Sequence, residues 1–163
     1  MKLFYKDRKT LLSFGALLAL CCAGLATPAW AQATITTITP LYFGEIVILD
    51  YSSVGRVTIS PSGLYSYNSN VLLHTPPQRG EYQLSGGPPS TFYTIDINPT
   101  TASLTGPGGP FTLDTLAITP AILVTDAAGE DTFYLSGRLQ TLGGGTPYGD
   151  GSYSGNILLT MNF

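Results

Sequence analysis

From Gln32 onward the apolar residues alternate with polar ones at a period of two and never settle into the three-and-four spacing of an amphipathic helix. The clearest run covers residues 132–139. There Phe133, Leu135, Gly137 and Leu139 share one face, and Thr132, Tyr134, Ser136 and Arg138 the other. The last segment repeats the pattern. Tyr153, Gly155, Ile157, Leu159, Met161 and Phe163 share one face, and Ser154, Asn156, Thr160 and Asn162 the opposite one, with Leu158 as the exception. Shorter runs precede these, each stopped by turn formers. Val57-Thr58-Ile59 ends at Pro61-Ser62-Gly63, and Leu64-Tyr65-Ser66-Tyr67 ends at Asn68-Ser69-Asn70. Glu81-Tyr82-Gln83-Leu84, Phe92-Tyr93-Thr94-Ile95-Asp96-Ile97 and Phe111-Thr112-Leu113-Asp114-Thr115-Leu116 follow, separated by Gly/Pro-rich loops. Alternation of this kind buries one face and wets the other, as in antiparallel sheets. Turns every ~8–12 residues predict an all-β, immunoglobulin-like antiparallel sandwich of about eight or nine short strands. No internal repeat or linker divides residues 32–163, which read as a single β-sandwich domain.

The first 31 residues break the pattern. Lys2, Lys6, Arg8 and Lys9 precede an apolar run over residues 11–25, and Ala29-Trp30-Ala31 gives the small-x-small cleavage pattern of a secretory signal peptide. The run is shorter than the ~20 apolar residues of a spanning helix. Residues 1–31 are therefore read as a cleaved leader, and the protein as exported: periplasmic, on the outer-membrane surface, or extracellular.

Removal of the leader changes the chemistry. Both cysteines and all three lysines leave with it, and residues 32–163 keep three arginines (Arg56, Arg79, Arg138) against nine acids, a net charge of −6. A lysine-free acidic chain repels phosphate backbones, so nucleic acid is not an expected partner. Without cysteine there is neither a disulfide nor a thiolate nucleophile, and without lysine no Schiff base. His74 is the single imidazole. It lies in His74-Thr75-Pro76-Pro77, a loop-like segment with no Gly-x-Ser-x-Gly elbow elsewhere in the chain, so no catalytic residue is assigned and no enzyme is expected. One histidine does not make a zinc or copper site, and no cofactor or small-molecule substrate is indicated. Asp126, Glu130 and Asp131 crowd one turn and can present oxygens to calcium. Their spacing is not that of an EF-hand, and a solvated hairpin turn is the simpler account. Asp150 sits in a Gly-rich loop. The paired Tyr65 and Tyr67 suit either a stacking platform for sugars or ordinary strand positions.

Several segments, in order along the chain, resemble the bacterial domain-of-unknown-function family 4402. Leu41-Tyr42-Phe43-Gly44-Glu45-Ile46 resembles its Leu-x-Phe-Gly-x-Ile opening. Val57-Thr58-Ile59-Ser60-Pro61-Ser62-Gly63 resembles the strand and turn that follow. Phe133-Tyr134-Leu135-Ser136-Gly137-Arg138-Leu139 resembles its Phe-x-Val-Gly-Gly-x-Leu strand, and Gly151-Ser152-Tyr153-Ser154-Gly155 its Gly-x-Tyr-x-Gly ending. Tyr65, Tyr67 and Pro76-Pro77 depart from the pattern. The resemblance implies an exported β-sandwich and brings no activity with it. The opening and ending are also distantly similar to pilin subunits of chaperone–usher fimbriae. That similarity implies strand addition, with Tyr153, Gly155, Ile157, Leu159, Met161 and Phe163 as the pairing face and residues 32–40 as donor. The expected partner is then another copy or a periplasmic chaperone.

The function expected from these features is a non-enzymatic envelope or cell-surface structural or adhesive protein, with a fimbria-like subunit as its sharper form. The alternatives are a carbohydrate- or calcium-binding sandwich and a small outer-membrane β-barrel. The barrel reading rests on the alternating strand that ends in Phe163. Eleven prolines after Gln32, and runs shorter than the ~9–11 residues that cross a bilayer, stand against it.

Overall fold

The computed structural model describes residues 32–163; the leader reading of residues 1–31 lies outside the described residues. The strand with the clearest alternation, β11 (Asp131–Gln140), organises the fold because both of its edges are occupied. Along one edge, residues 131–135 pair with β6 (Gly80–Ser85) and residues 137–140 with β3 (Arg56–Ile59). Along the other, residues 134–140 pair with β9 (Phe111–Thr119). Further out, β1 (Thr34–Thr39) pairs with β6, β4 (Tyr65–Tyr67) with β3, and β8 (Ala102–Leu104) with β9, giving a seven-stranded antiparallel sheet. A single strand that hands one edge from β6 to β3 forces the sheet to curl.

The layer packed on this sheet comes in two pieces. In one, β7 (Phe92–Asn98) holds β10 (Ile122–Val124) and β12 (Leu158–Asn162). The other is a ribbon of β2 (Ile46–Ile48) and β5 (Val71–Leu73). Each piece covers its own half of the large sheet, and the core divides accordingly. Val57, Ile59, Phe111, Leu113 and Leu139 of the sheet meet Val71 and Phe43, with Ile46 and Ile48 packed alongside. Leu84 and Phe133 meet Tyr93, Ile95 and Leu123. β11 thus feeds Phe133 into one cluster and Leu139 into the other. At Gly137, between them, a Cβ would lie 2.8 Å from Leu116 Cδ2, so a side chain there would have to push the Leu116 tip aside. The crowding comes from a bulge in which Thr115 and Leu116 of β9 stand opposite this one residue.

The alternation expected of residues 132–139 is realised, with Phe133, Leu135, Gly137 and Leu139 buried. The polar face is drier than expected at Ser136, which is 2 % exposed and donates its hydroxyl to the Ala117 carbonyl. β9 pairs at that position, with Ala117 opposite Ser136. Among the described residues there are twelve strands, more than the eight or nine expected. The additional ones, β2, β5, β8 and β10, have three residues each, too few to carry a periodic signal.

On the outer face, Asp114 accepts a forked pair of hydrogen bonds from Arg138, Nε to Oδ1 at 2.7 Å and Nη2 to Oδ2 at 2.8 Å, and a third from Gln140. The Arg138 hydrogen bond is the main cause that holds the Asp114 carboxyl below its ordinary value of 3.8, with burial opposing it. A carboxylate lowered in the folded state stabilises the fold fully above its unfolded value and loses that contribution as pH falls through the folded value. Melting curves taken from about pH 5 down to about pH 2 are expected to fall more steeply for the native chain than for Asp114→Asn. Parallel curves would show that the fork adds nothing to stability.

Candidate functional site

The two pieces of the second layer do not meet. Among the described residues β12 pairs only with β7, and β2 only with β5, so each keeps one edge unpaired. Between those edges lies a groove of about 860 Å³. Leu41, Phe43, Ile46 and Ile48 form one wall, and Tyr153, Ile157 and Leu159 the other. Its floor is the inner face of the large sheet, where Leu113, Leu135 and Leu139 are buried. Protein interiors seldom hold voids larger than a water. A space of this size against core side chains, flanked by free backbone donors and acceptors, has the shape of a seat for one more strand.

The walls run in opposite directions. At one end Tyr51 stacks near Tyr148, with ring centroids 6.3 Å apart. At the other, Ile35 shares a core cluster with Leu159 and Met161. Phe111, Tyr148 and Tyr153 pack together at the first end, with Phe111 4.5 Å from Tyr148 and 4.8 Å from Tyr153. The two tyrosine hydroxyls donate to the carbonyls of Pro110 and Pro107, pinning the Gly/Pro-rich loops there. Gly44 sets the course of the opposite wall. Its φ is +85°, and a Cβ would collide with the Thr75 carbonyl oxygen, so the glycine of the opening motif is a steric requirement. Tyr82 lines the groove from β6, and burial pushes its hydroxyl upward in pKa, partly offset by a hydrogen bond with the Leu41 backbone.

The structure places the expected pairing face partly on this groove. Tyr153, Ile157 and Leu159 line it, half-buried, and so does Gly155. Met161 points inward further along, into the second cluster. Phe163 is 93 % exposed, with its ring 6.0 Å from Tyr93. Regular pairing of the last strand begins only at Leu158, with Ser154 bridged separately to Thr105. The proposed donor, residues 32–40, contains β1, which is built into the domain against β6, and Pro40, which lines the groove. The wall on the β2 side was not read from the sequence. Its only signal was the Leu-Tyr-Phe-Gly motif, whose apolar positions do not alternate long enough to announce a strand edge.

In the acidic turn, each carboxylate is engaged separately. Asp126 Oδ1 accepts from the amides of Ala128 and Glu130 at 2.8 and 2.9 Å. Glu130 accepts from Gln83, and Asp131 Oδ2 from the Val124 amide. Asp126 closes its own turn, while Glu130 and Asp131 are held by donors on β6 and β10. Among the described residues no three His, Cys, Asp or Glu side chains group as metal ligands. Millimolar calcium is accordingly expected to leave the melting temperature unchanged, whereas a ligand binding only the folded state raises it. A rise with calcium that Asp126→Asn removes would assign the turn to the metal. His74 is exposed, its Nε2 3.9 Å from Glu45. Tyr65 and Tyr67 lie half-exposed on β4, opposite Ile59 and Val57.

A family model described as a domain of unknown function (DUF4402) matches residues 33–163. Comparison with curated proteins and with solved structures finds no significant match.

Proposed function

The chain belongs to the DUF4402 family, and from its open groove we propose that it is a non-enzymatic, exported structural subunit of the bacterial envelope that is completed by a strand from a partner. The observation that carries this reading is the pair of unpaired edges on β12 and β2 above a groove floored by core side chains. In this reading the domain is an immunoglobulin-like sandwich whose second layer becomes continuous when a strand enters, in the order β10-β7-β12-strand-β2-β5. Main-chain hydrogen bonds on both sides supply affinity, and alternate side chains filling the groove supply specificity. The leader pattern and the cysteine-free composition support export and a fold held by its core alone. The similarity of the opening and ending to pilin subunits supports strand addition as the mode of assembly.

The test is made on producing cells. They are sheared, and the sheared, periplasmic and outer-membrane fractions are run on gels with and without boiling. A species that survives detergent and collapses on heating is the expected result, because strand complementation buries apolar surface and a full ladder of hydrogen bonds. A single band, unchanged by boiling in every fraction, would remove the reading.

A further inference from the structure

The groove has a chemistry beyond its shape. Its charged lining residues are Glu45 and Asp150, one on each wall, and no cation lines it. Among the described residues Asp150 has no ion-pair partner, and Glu45 has only the distant His74. Residues 32–163 as a whole carry three arginines against nine acids, so an approaching second copy meets like charge. The segment that copy would have to donate is also committed. Thr34–Thr39 pairs with β6, Ile35 packs in the second core cluster, and residues 32–41 contain no charged side chain. Releasing β1 would expose one sandwich to complete another.

Resting on the strand-completion reading above, we infer that the groove takes a cation-bearing strand from a different, basic protein, and that this strand runs antiparallel to β12. The walls supply the direction. Because they run oppositely, any strand between them is antiparallel to one and parallel to the other. β12 is five residues long and β2 three, and antiparallel ladders are the more stable per residue. The larger ladder takes the better pairing. The outward side chains of the incoming strand are also constrained. They emerge between Val47 on β2 and Leu158 on β12, 50 % and 63 % exposed, so apolar or β-branched residues suit both of its faces. The partner strand is therefore apolar along its length, with lysine or arginine where it passes Glu45 and Asp150.

The experiment uses the exported protein and two synthetic nine-residue peptides with blocked ends. Both carry valine at alternate positions with threonine between; one has arginine at its termini and the other glutamate. Fluorescence anisotropy is expected to show the arginine peptide binding about tenfold more tightly at low salt, with the gap closing as salt is added. The gap is also expected to close in the Glu45→Gln/Asp150→Asn chain, whose binding of the glutamate peptide improves. Equal binding of the two peptides to the native chain would overturn the charge inference and leave strand completion standing. Binding of neither peptide would overturn both. Heat-labile multimers formed by the purified protein alone would show a second copy as occupant and overturn the hetero-partner. For direction, a cysteine at the peptide's N-terminal end is expected to cross-link to Asn162→Cys and not to Ser152→Cys. The reverse pattern would overturn the antiparallel placement.

Discussion

Leu159→Lys is expected to abolish strand binding, weakening it by at least about 100-fold, whereas Leu158→Lys, one residue earlier, is expected to leave it within about threefold. The two positions share a strand, a backbone and a residue type, and differ in the face they present. Leu159 is half-buried on the groove wall, and Leu158 faces out. A lysine at 159 would have to place its ammonium group where the incoming strand sits, a buried charge with no partner on the apolar side of the groove. At 158 the same ammonium stays in water. Leu159 also packs against the second core cluster, so a melting curve checks that the lost binding is not lost structure. Peptide anisotropy and the heat-labile gel species report the effect together. If Leu159→Lys binds as the native chain does, this groove is not the seat of the strand.

Phe133→Ala carries the largest expected loss of stability, about 3–5 kcal/mol, because it leaves a cavity that the surroundings only partly fill. Phe133 is fully buried and stacks on Tyr82 with centroids 5.4 Å apart, in the cluster that joins β6 and β11 to β7 and β10. Domains of this size have only ~5–15 kcal/mol of stability in total, and after Gln32 there is no cysteine to staple the fold. A fall of roughly 10–20 °C in Tm is expected by circular dichroism. Tyr134→Ala, the next residue on the outer face, removes a contact with the Arg79 guanidinium 3.5 Å from its ring and is expected to cost about 1 kcal/mol or less. Equal effects at the two positions would mean that β11 does not divide inside from outside as described.

The groove was half legible beforehand. Tyr153, Ile157 and Leu159 could be assigned to one face because a side-chain period of two is a local property, written into consecutive residues, while a pairing role for that face was implied only by the pilin similarity. The opposite wall could not, since Leu41, Phe43, Ile46 and Ile48 become a strand-like edge only by packing on the large sheet. The acidic turn shows the same limit from the other direction. Asp126, Glu130 and Asp131 are close in sequence, yet their oxygens turn to different backbone and side-chain donors. Proximity along the chain does not decide convergence in space. Residues 32–40 show the limit again, for by length alone they are short for both a donor segment and a first strand, and only the pairing of Ile35 with Leu84 makes them the latter here.

What the sequence determined by itself is the all-β class, the inward and outward faces of β11 and β12, the turns between strands, and the lack of any cysteine in residues 32–163. Each of these follows from local alternation, local turn chemistry or composition. The tertiary structure alone decided that β11 serves β6, β3 and β9 together, that the second layer is split, and that β12 and β2 face each other across an open groove. Pairing partners are chosen by contacts between residues far apart in the chain, and a strand with one free edge has the same alternation as a strand with none.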